Sequence, residues 1–378
     1  MFSKSASGKA VLVADVDDTS VGISFVELSK TGPASILAAE RMTLPIEERT
    51  TSQSASAVIQ LLEKCLDTSL KAHAIQPKAI YAIVRAPWTR FRTAEVAESF
   101  PEARPITKDM IPALAKKALA QPSDLDASNI LEAGVMHVAL NGYPTGNPIG
   151  KKATMVTVVA FEGDVNPEIK RGIVDVFGKY LPGRAPILRT GMRALLTVLH
   201  EHIPDIHRYV ILDVGGTATS CAIVRKEAVT QFAQIPEGAA TMVKKISGAS
   251  VPEETISHLR MLANDTCSTD ACKAIKDSIA MIEPVFAKTY GEMFATLAAR
   301  RRLPNHAMLS APTELAPWLQ GFFSRIDFAQ FTATTQPLDV ETLTADHLSD
   351  AVIWKTGTTN DTGLSTAVGC VNILEQSV

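Results

Sequence analysis

The chain has 378 residues, which suits two to four domains, and 46% hydrophobic against 20% charged residues supply packed cores rather than disorder. A net charge of −3, with no basic run longer than Arg300-Arg301-Arg302, disfavours a nucleic-acid partner, which needs a basic face. No window approaches the ~20 apolar residues of a membrane-spanning helix, and the apolar run Ala10–Ala14, ended by Asp15, is too short for a signal peptide. Five cysteines (Cys65, Cys221, Cys267, Cys272, Cys370), mostly within apolar periodic segments, read as reduced thiols of a cytosolic protein, and no His or Cys pair completes a zinc site around Cys267 and Cys272.

The chain opens with three strands over 9–15, 21–28 and 35–41. In the second, Val21, Ile23 and Phe25 alternate with Gly22 and Ser24, a half-buried pattern. Val58, Leu61, Leu62, Cys65, Leu66 and Leu70 share one face of a helix over 54–72, and an apolar strand follows over 79–84. Thr107 then caps a helix that Pro112 bends, running to Leu119. Strands over 130–140 and 153–161 flank a turn-rich loop, Asn141 to Gly150, and Asn166-Pro167 starts a helix to Phe177. Helix, two strands and helix make a small α+β unit within 88–181. A strand over 186–188 and a helix over 190–202 follow, and His200 with His202 marks that helix's exposed end rather than a ligand pair.

The next stretch, Arg208 to Glu227, organises the chain. An apolar run, Tyr209–Leu212, breaks at Gly215-Gly216 and resumes over Thr219–Val224, so it reads as a hairpin. Without Cβ atoms, backbone N–H groups at such glycines can close around a phosphate, and Asp213 stands where a carboxylate can face a metal ion or its water. The stretch has a second copy. Asp15, Val16 and Thr19 align without gaps on Asp213, Val214 and Thr217, 198 positions later, and in both copies a basic turn (Ser29-Lys30, Arg225-Lys226) leads to a third strand. Beyond lie a turn at Ile235–Gly238, a helix to Ile246, helices over 258–263 and 271–302 with a kink at Pro284, and strand, turn and helix over 307–321. A strand over 351–354, a polar turn and a helix over 364–374 close the chain.

Two like meanders facing each other across a cleft resemble the actin-like ATPase superfamily, whose paired turns hold nucleotide phosphates. The run Val138–Gly150, Val-Ala-Leu-Asn-Gly-Tyr-Pro-Thr-Gly-Asn-Pro-Ile-Gly, resembles the inserted SHS2-type subdomain of the bacterial FtsA and PilM proteins. The resemblance implies an α/β fold, a duplicated actin-like (ribonuclease H-like) two-lobe architecture with an inserted SHS2-type α+β subdomain. It places the first lobe at 1–87 and 182–206, the insert at 88–181, and the second lobe at 207–378 with a helical part near 248–304. It also implies ATP and Mg²⁺ between Asp15, Asp17, Asp18 and Thr19 of the first turn and Asp213, Gly215, Gly216, Thr217 and Thr219 of the second. Gly238, Ser310 and Ala311 flank the base, and Asp15 and Asp213 face the metal.

The chain departs from that pattern. Asp17 and Asp18 add two carboxylates beside a triphosphate, Gly22 stands where a basic or amide residue belongs, and Ala239 and Ala311-Pro312 replace glycines. One unfavourable charge pair at ~4 Å in a partly buried site is worth about 4 kcal/mol. The expected protein binds nucleotide with little or no hydrolysis. Its expected role is a cytoplasmic scaffold resembling PilM of type IV pilus assembly, held peripherally at the inner membrane by a short peptide of a PilN-like partner. One alternative is an FtsA-like division protein joined to a division-ring protein, although the tail supplies no basic amphipathic helix. Another is a working actin-fold ATPase or sugar kinase. The family also allows self-association into dimers or filaments.

Overall fold

The computed structural model describes residues 10–202, 208–225, 228–268, 270–299, 301–355 and 361–376. Lys226, the Arg300 end of the long helix, the 206/207 lobe boundary and the last two residues lie outside them. The first meander is β1 (Ala10–Val16), β2 (Ser20–Glu27) and β3 (Ala34–Thr43), followed by α1 (Thr51–Ala72) and β4 (Ile80–Val84). Thr50 starts α1 through a capping box with Gln53, three residues before the expected start. β5 (Thr89–Pro105), α2 (Met110–Leu119), β6 (Ile130–Leu140), β7 (Tyr143–Pro144) and β8 (Lys152–Val165) come next, then α3 (Pro167–Tyr180), β9 (Ile187–Thr190) and α4 (Gly191–His202).

The second meander is β10 (Arg208–Val214), β11 (Thr219–Arg225) and β12 (Ala228–Ile235). It leads into α5 (Ala239–Ser247), α6 (Pro252–Ala263), α7 (Asp270–Ala298), β13 (His306–Ser310), α8 (Ala316–Arg325) and β14 (Asp339–Thr342); β15 (Val352–Trp354) and α9 (Thr362–Gln376) follow. Pro284 lies inside α7, which continues through it.

Three sheets result. The first lobe holds β15-β3-β2-β1-β4-β9, the second β12-β11-β10-β13-β14, and the insert β5-β8-β6-β7. The duplication is visible in register: β1 and β2 close on Val16 opposite Val21 with Asp15 opposite Gly22, while β10 and β11 close on Val214 opposite Thr219 with Asp213 opposite Ser220. In each lobe the three-strand meander is extended by parallel strands, β4 and β9 in one and β13 and β14 in the other. One apolar core takes α4 and α9 together with Tyr209, Ile211 and Ala222, so it runs from the first lobe into the second.

The main departures from the sequence reading are these. β5, not foreseen, is the end strand of the insert sheet; its charged residues and Pro101 and Pro105 suit an edge, where ladder donors are dispensable. α3, assigned to the insert, buries Ile169, Ile173, Val176 and Phe177 against α1 in the first lobe. β15 and α9, assigned to the second lobe, return to the first: β15 pairs with β3, and Ala367, Val368, Cys370 and Val371 of α9 cover the sheet's inner face. Finally, Cys267 and Cys272 form a disulfide, with Cα atoms 5.6 Å apart, whereas Cys65, Cys221 and Cys370 are free and buried as expected.

Candidate functional site between the two turns

The two hairpin turns meet. Asp18 accepts hydrogen bonds from the Thr217 backbone N–H at 3.0 Å and from the Thr217 hydroxyl. A Cβ placed at Gly216 would collide with Thr19 and Asp18, so the glycine is needed for this approach and the space between the turns is closed even to one carbon atom. Behind the second turn, the first amides of α5 serve the turn itself: Ala239 and Ala240 donate to the carbonyls of Gly215 and Gly216, each at 2.8 Å. Gly238 packs directly on those carbonyls, where a Cβ would stand 2.6 Å from both oxygens.

A guanidinium occupies the centre. Arg85 follows the last residue of β4; its Nε donates to Asp15 Oδ1 at 2.7 Å and its Nη1 to Asp213 Oδ1 at 3.2 Å. The two carboxylates expected to face a metal ion are thus bridged by one side chain. Arg41 on β3 takes the other oxygen of Asp15 at 2.7 Å and reaches Asp361 with its Nε. Ser310 donates to Asp213 at 2.8 Å. A Mg²⁺–triphosphate does not fit this arrangement: it would have to displace Arg85 from Asp15 and Asp213, and part Thr217 from Asp18.

Asp15, Asp17, Asp18, Thr19, Asp213, Gly215, Gly216, Thr217, Gly238 and Ser310 are therefore brought to one place. Thr219 is turned away, with its hydroxyl on the Glu237 carbonyl at 2.6 Å and beside the Tyr290 hydroxyl at 3.0 Å. Ala311 packs against the second-lobe core. Arg85, Arg41 and Asp361 were missed. The signal for Arg85 was a single arginine directly after the buried run Ile80–Val84, a position where a charge needs a partner.

Burial would raise the Asp15 carboxyl, but the charges of Arg85 and then Arg41 outweigh it and hold the group below its ordinary value. Burial raises Asp213 despite Arg85. Asp17 lies well above the usual carboxylate range because it is buried and faces the Asp18 charge, and burial raises Asp18 also. Oδ1 of Asp17 and of Asp18 are buried without a hydrogen-bond partner among the described residues.

A carboxyl raised in this way is protonated in the folded chain at pH values where the unfolded chain has already released the proton. Stability therefore falls as pH rises from about 3.8 through the folded value. Asp17→Asn removes that loss and keeps an acceptor for the Thr19 hydroxyl. It is expected to stabilise the protein by about 1–2 kcal/mol near neutral pH. Urea denaturation at pH 5 and pH 8 checks this: the variant's gain should be larger at pH 8.

Among solved structures, the chain is similar to the PilM-PilN type IV pilus biogenesis complex over 97% of its length and 98% of that chain, with a TM-score of 0.61 at 14% identity. The fold is actin-like. Lower-scoring matches include the ethanolamine utilization protein EutJ from Carboxydothermus hydrogenoformans (TM-score 0.47, 11% identity, 96% of this chain and 89% of that one). An exopolyphosphatase from Cytophaga hutchinsonii matches at a TM-score of 0.40 and 11% identity, over 98% of this chain and 90% of that one. No family model matches the sequence, and no curated protein matches it. Within this actin-like frame, Asp15 and Asp213 are equivalent positions of the two hairpins, joined by Arg85 across the lobe interface. No helix among the described residues is long and apolar enough to cross a membrane.

Proposed function

We propose that the chain is a cytoplasmic actin-like scaffold of the PilM kind, captured at the inner membrane through a short segment of an assembly protein. Its lobes are held together by Arg85 instead of by a nucleotide and its metal. The observation that carries this reading is the Arg85 bridge between Asp15 and Asp213, a cation built into the chain where a Mg²⁺ would act. The long coverage of the PilM-PilN match supports the choice of relative. The insert, read as SHS2-type, lies beside both lobes and provides the platform for the partner segment. A scaffold needs docking walls rather than a working phosphate site, which makes the closed turns compatible with the role.

Thermal unfolding with and without 1 mM Mg-ATP is the direct test. A ligand at 100 times its Kd would add about 2.7 kcal/mol and shift the transition clearly. No shift is expected. A Mg-dependent upward shift that Arg85→Ala leaves unchanged would reject the closed-cleft reading. Co-purification from membranes should recover an inner-membrane pilus assembly protein, and recovery of the division tubulin homologue in its place would point to the division role.

A further inference from the structure

We propose that a small phosphate-bearing anion, a pyrophosphate or a phosphate monoester, binds a cluster of arginines at the end of the second lobe farthest from the hairpin turns. The site lies outside the cleft and is independent of the scaffold reading. Three parts of the chain build it. Arg208 opens β10 and Arg225 closes β11, and the two stand directly opposite each other in the ladder. Alternation puts both on the face of Val210, Leu212, Cys221 and Ile223, which α5 to α8 cover. The long helix α7 ends over that face, with Leu297 and Leu303 in the same core, and Arg301 and Arg302 lie between them.

Arg225 ties the parts together. Its side chain is buried and donates to the Arg302 carbonyl. Burial lowers its pKa, and the charges of Arg301 and then Arg208 lower it further, so the charges acting on it are cations. The Arg302 guanidinium is turned onto the carbonyls of Gln330 and Thr332. Arg208 and Arg301 are exposed, and none of these arginines pairs with a carboxylate among the described residues. Guanidinium does not lose its proton in proteins, and like charges directly opposite in a sheet are destabilising. The carbonyl end of α7 offsets only about half a unit of positive charge. A purely structural role, closing that helix end, accounts for Arg301 and Arg302. It does not account for two arginines set opposite each other on β10 and β11, in a chain of net charge −3.

The imbalance selects the ligand. A carboxylate carries one charge and fills one guanidinium fork, whereas a phosphate monoester or pyrophosphate carries more charge and offers oxygens to several forks at once. A nucleic acid needs an extended basic face, and this cluster is one ladder pair and one short loop. A membrane surface is disfavoured as well. None of the exposed large apolar side chains belongs to β10, β11 or residues 301–303, and the nearest along α7, Val285, lies about 20 Å back from the helix end.

The test titrates inorganic pyrophosphate into the full chain by calorimetry, at low salt with EDTA present, and repeats the titration with Arg208→Gln/Arg301→Gln. Both positions are exposed, so this variant should keep the wild-type melting temperature. Lys116→Gln/Lys117→Gln, which removes the same charge from the exposed face of α2, is the control. A saturable one-to-one heat is expected for the wild type, at least about tenfold weaker in the arginine variant and unchanged within about twofold in the lysine variant. Absence of saturable binding, equal weakening in both variants, or binding indifferent to the arginine substitutions would overturn the assignment. Flotation with phosphatidylglycerol vesicles separates the sources of phosphate: vesicle binding that pyrophosphate does not displace would make a lipid surface the partner, and would overturn it too. Should the double variant fail to fold, Arg301→Gln alone, outside every helix and strand, decides the matter through a smaller loss.

Discussion

Arg85→Ala is expected to destabilise the protein by about 3–5 kcal/mol, the cost of leaving buried charges without their partner. The side chain is buried, and removing it strands Asp15 and Asp213, themselves almost inaccessible, beside the raised carboxyls of Asp17 and Asp18. Arg41 still covers one oxygen of Asp15, so the larger part of the loss falls on Asp213, which keeps only Ser310. A double-mutant cycle with Asp213→Asn should recover part of the loss, because the neutral amide no longer requires a cation. Urea denaturation of the four proteins measures the coupling. A loss below 1 kcal/mol for the single variant would mean that Arg85 does not hold the lobes together.

Gly238→Ala is the second large effect, at about 2–3 kcal/mol. Gly238 has an extended backbone (φ −138°), so the requirement is one of space and not of conformation. Its added Cβ would lie 2.6 Å from the oxygens of Gly215 and Gly216 and 2.7 Å from the Ala218 nitrogen, all main-chain atoms with no freedom to turn aside. Relief requires α5 to retreat, which breaks its bonds to the two carbonyls and loosens the turn that meets Asp18. The same substitution at Gly178, which has nothing near its missing Cβ, serves as the control and should change stability by less than 1 kcal/mol. Thermal melts of both variants decide the point.

The paired hairpins were legible because each carries a complete local signal: a buried run, Asp-Val, a small polar turn and a second buried run. Their repetition predicted a shared cleft, and the structure brings Asp15 and Asp213 to one arginine. β5 was not legible, since Thr89–Pro105 alternates poorly, carries charges along its length and includes two prolines. Its strand character comes from pairing with β8 over 89–99 and again at 104–105. α3 and α9 were recognised as helices but placed in the wrong units, because periodicity shows which face is apolar and not which sheet it covers. Arg85 illustrates the same limit more sharply. Its partners Asp15 and Asp213 lie 70 residues before it and 128 after it, and nothing local announces either.

The return of β15 and α9 to the first sheet has a mechanical consequence. The second lobe is an excursion of the chain that departs after α4 and rejoins at β15, so it hangs from its neighbour by two tethers. Any opening of this molecule would have to bend the chain at both crossings and part Arg85, the shared apolar core and the paired turns together.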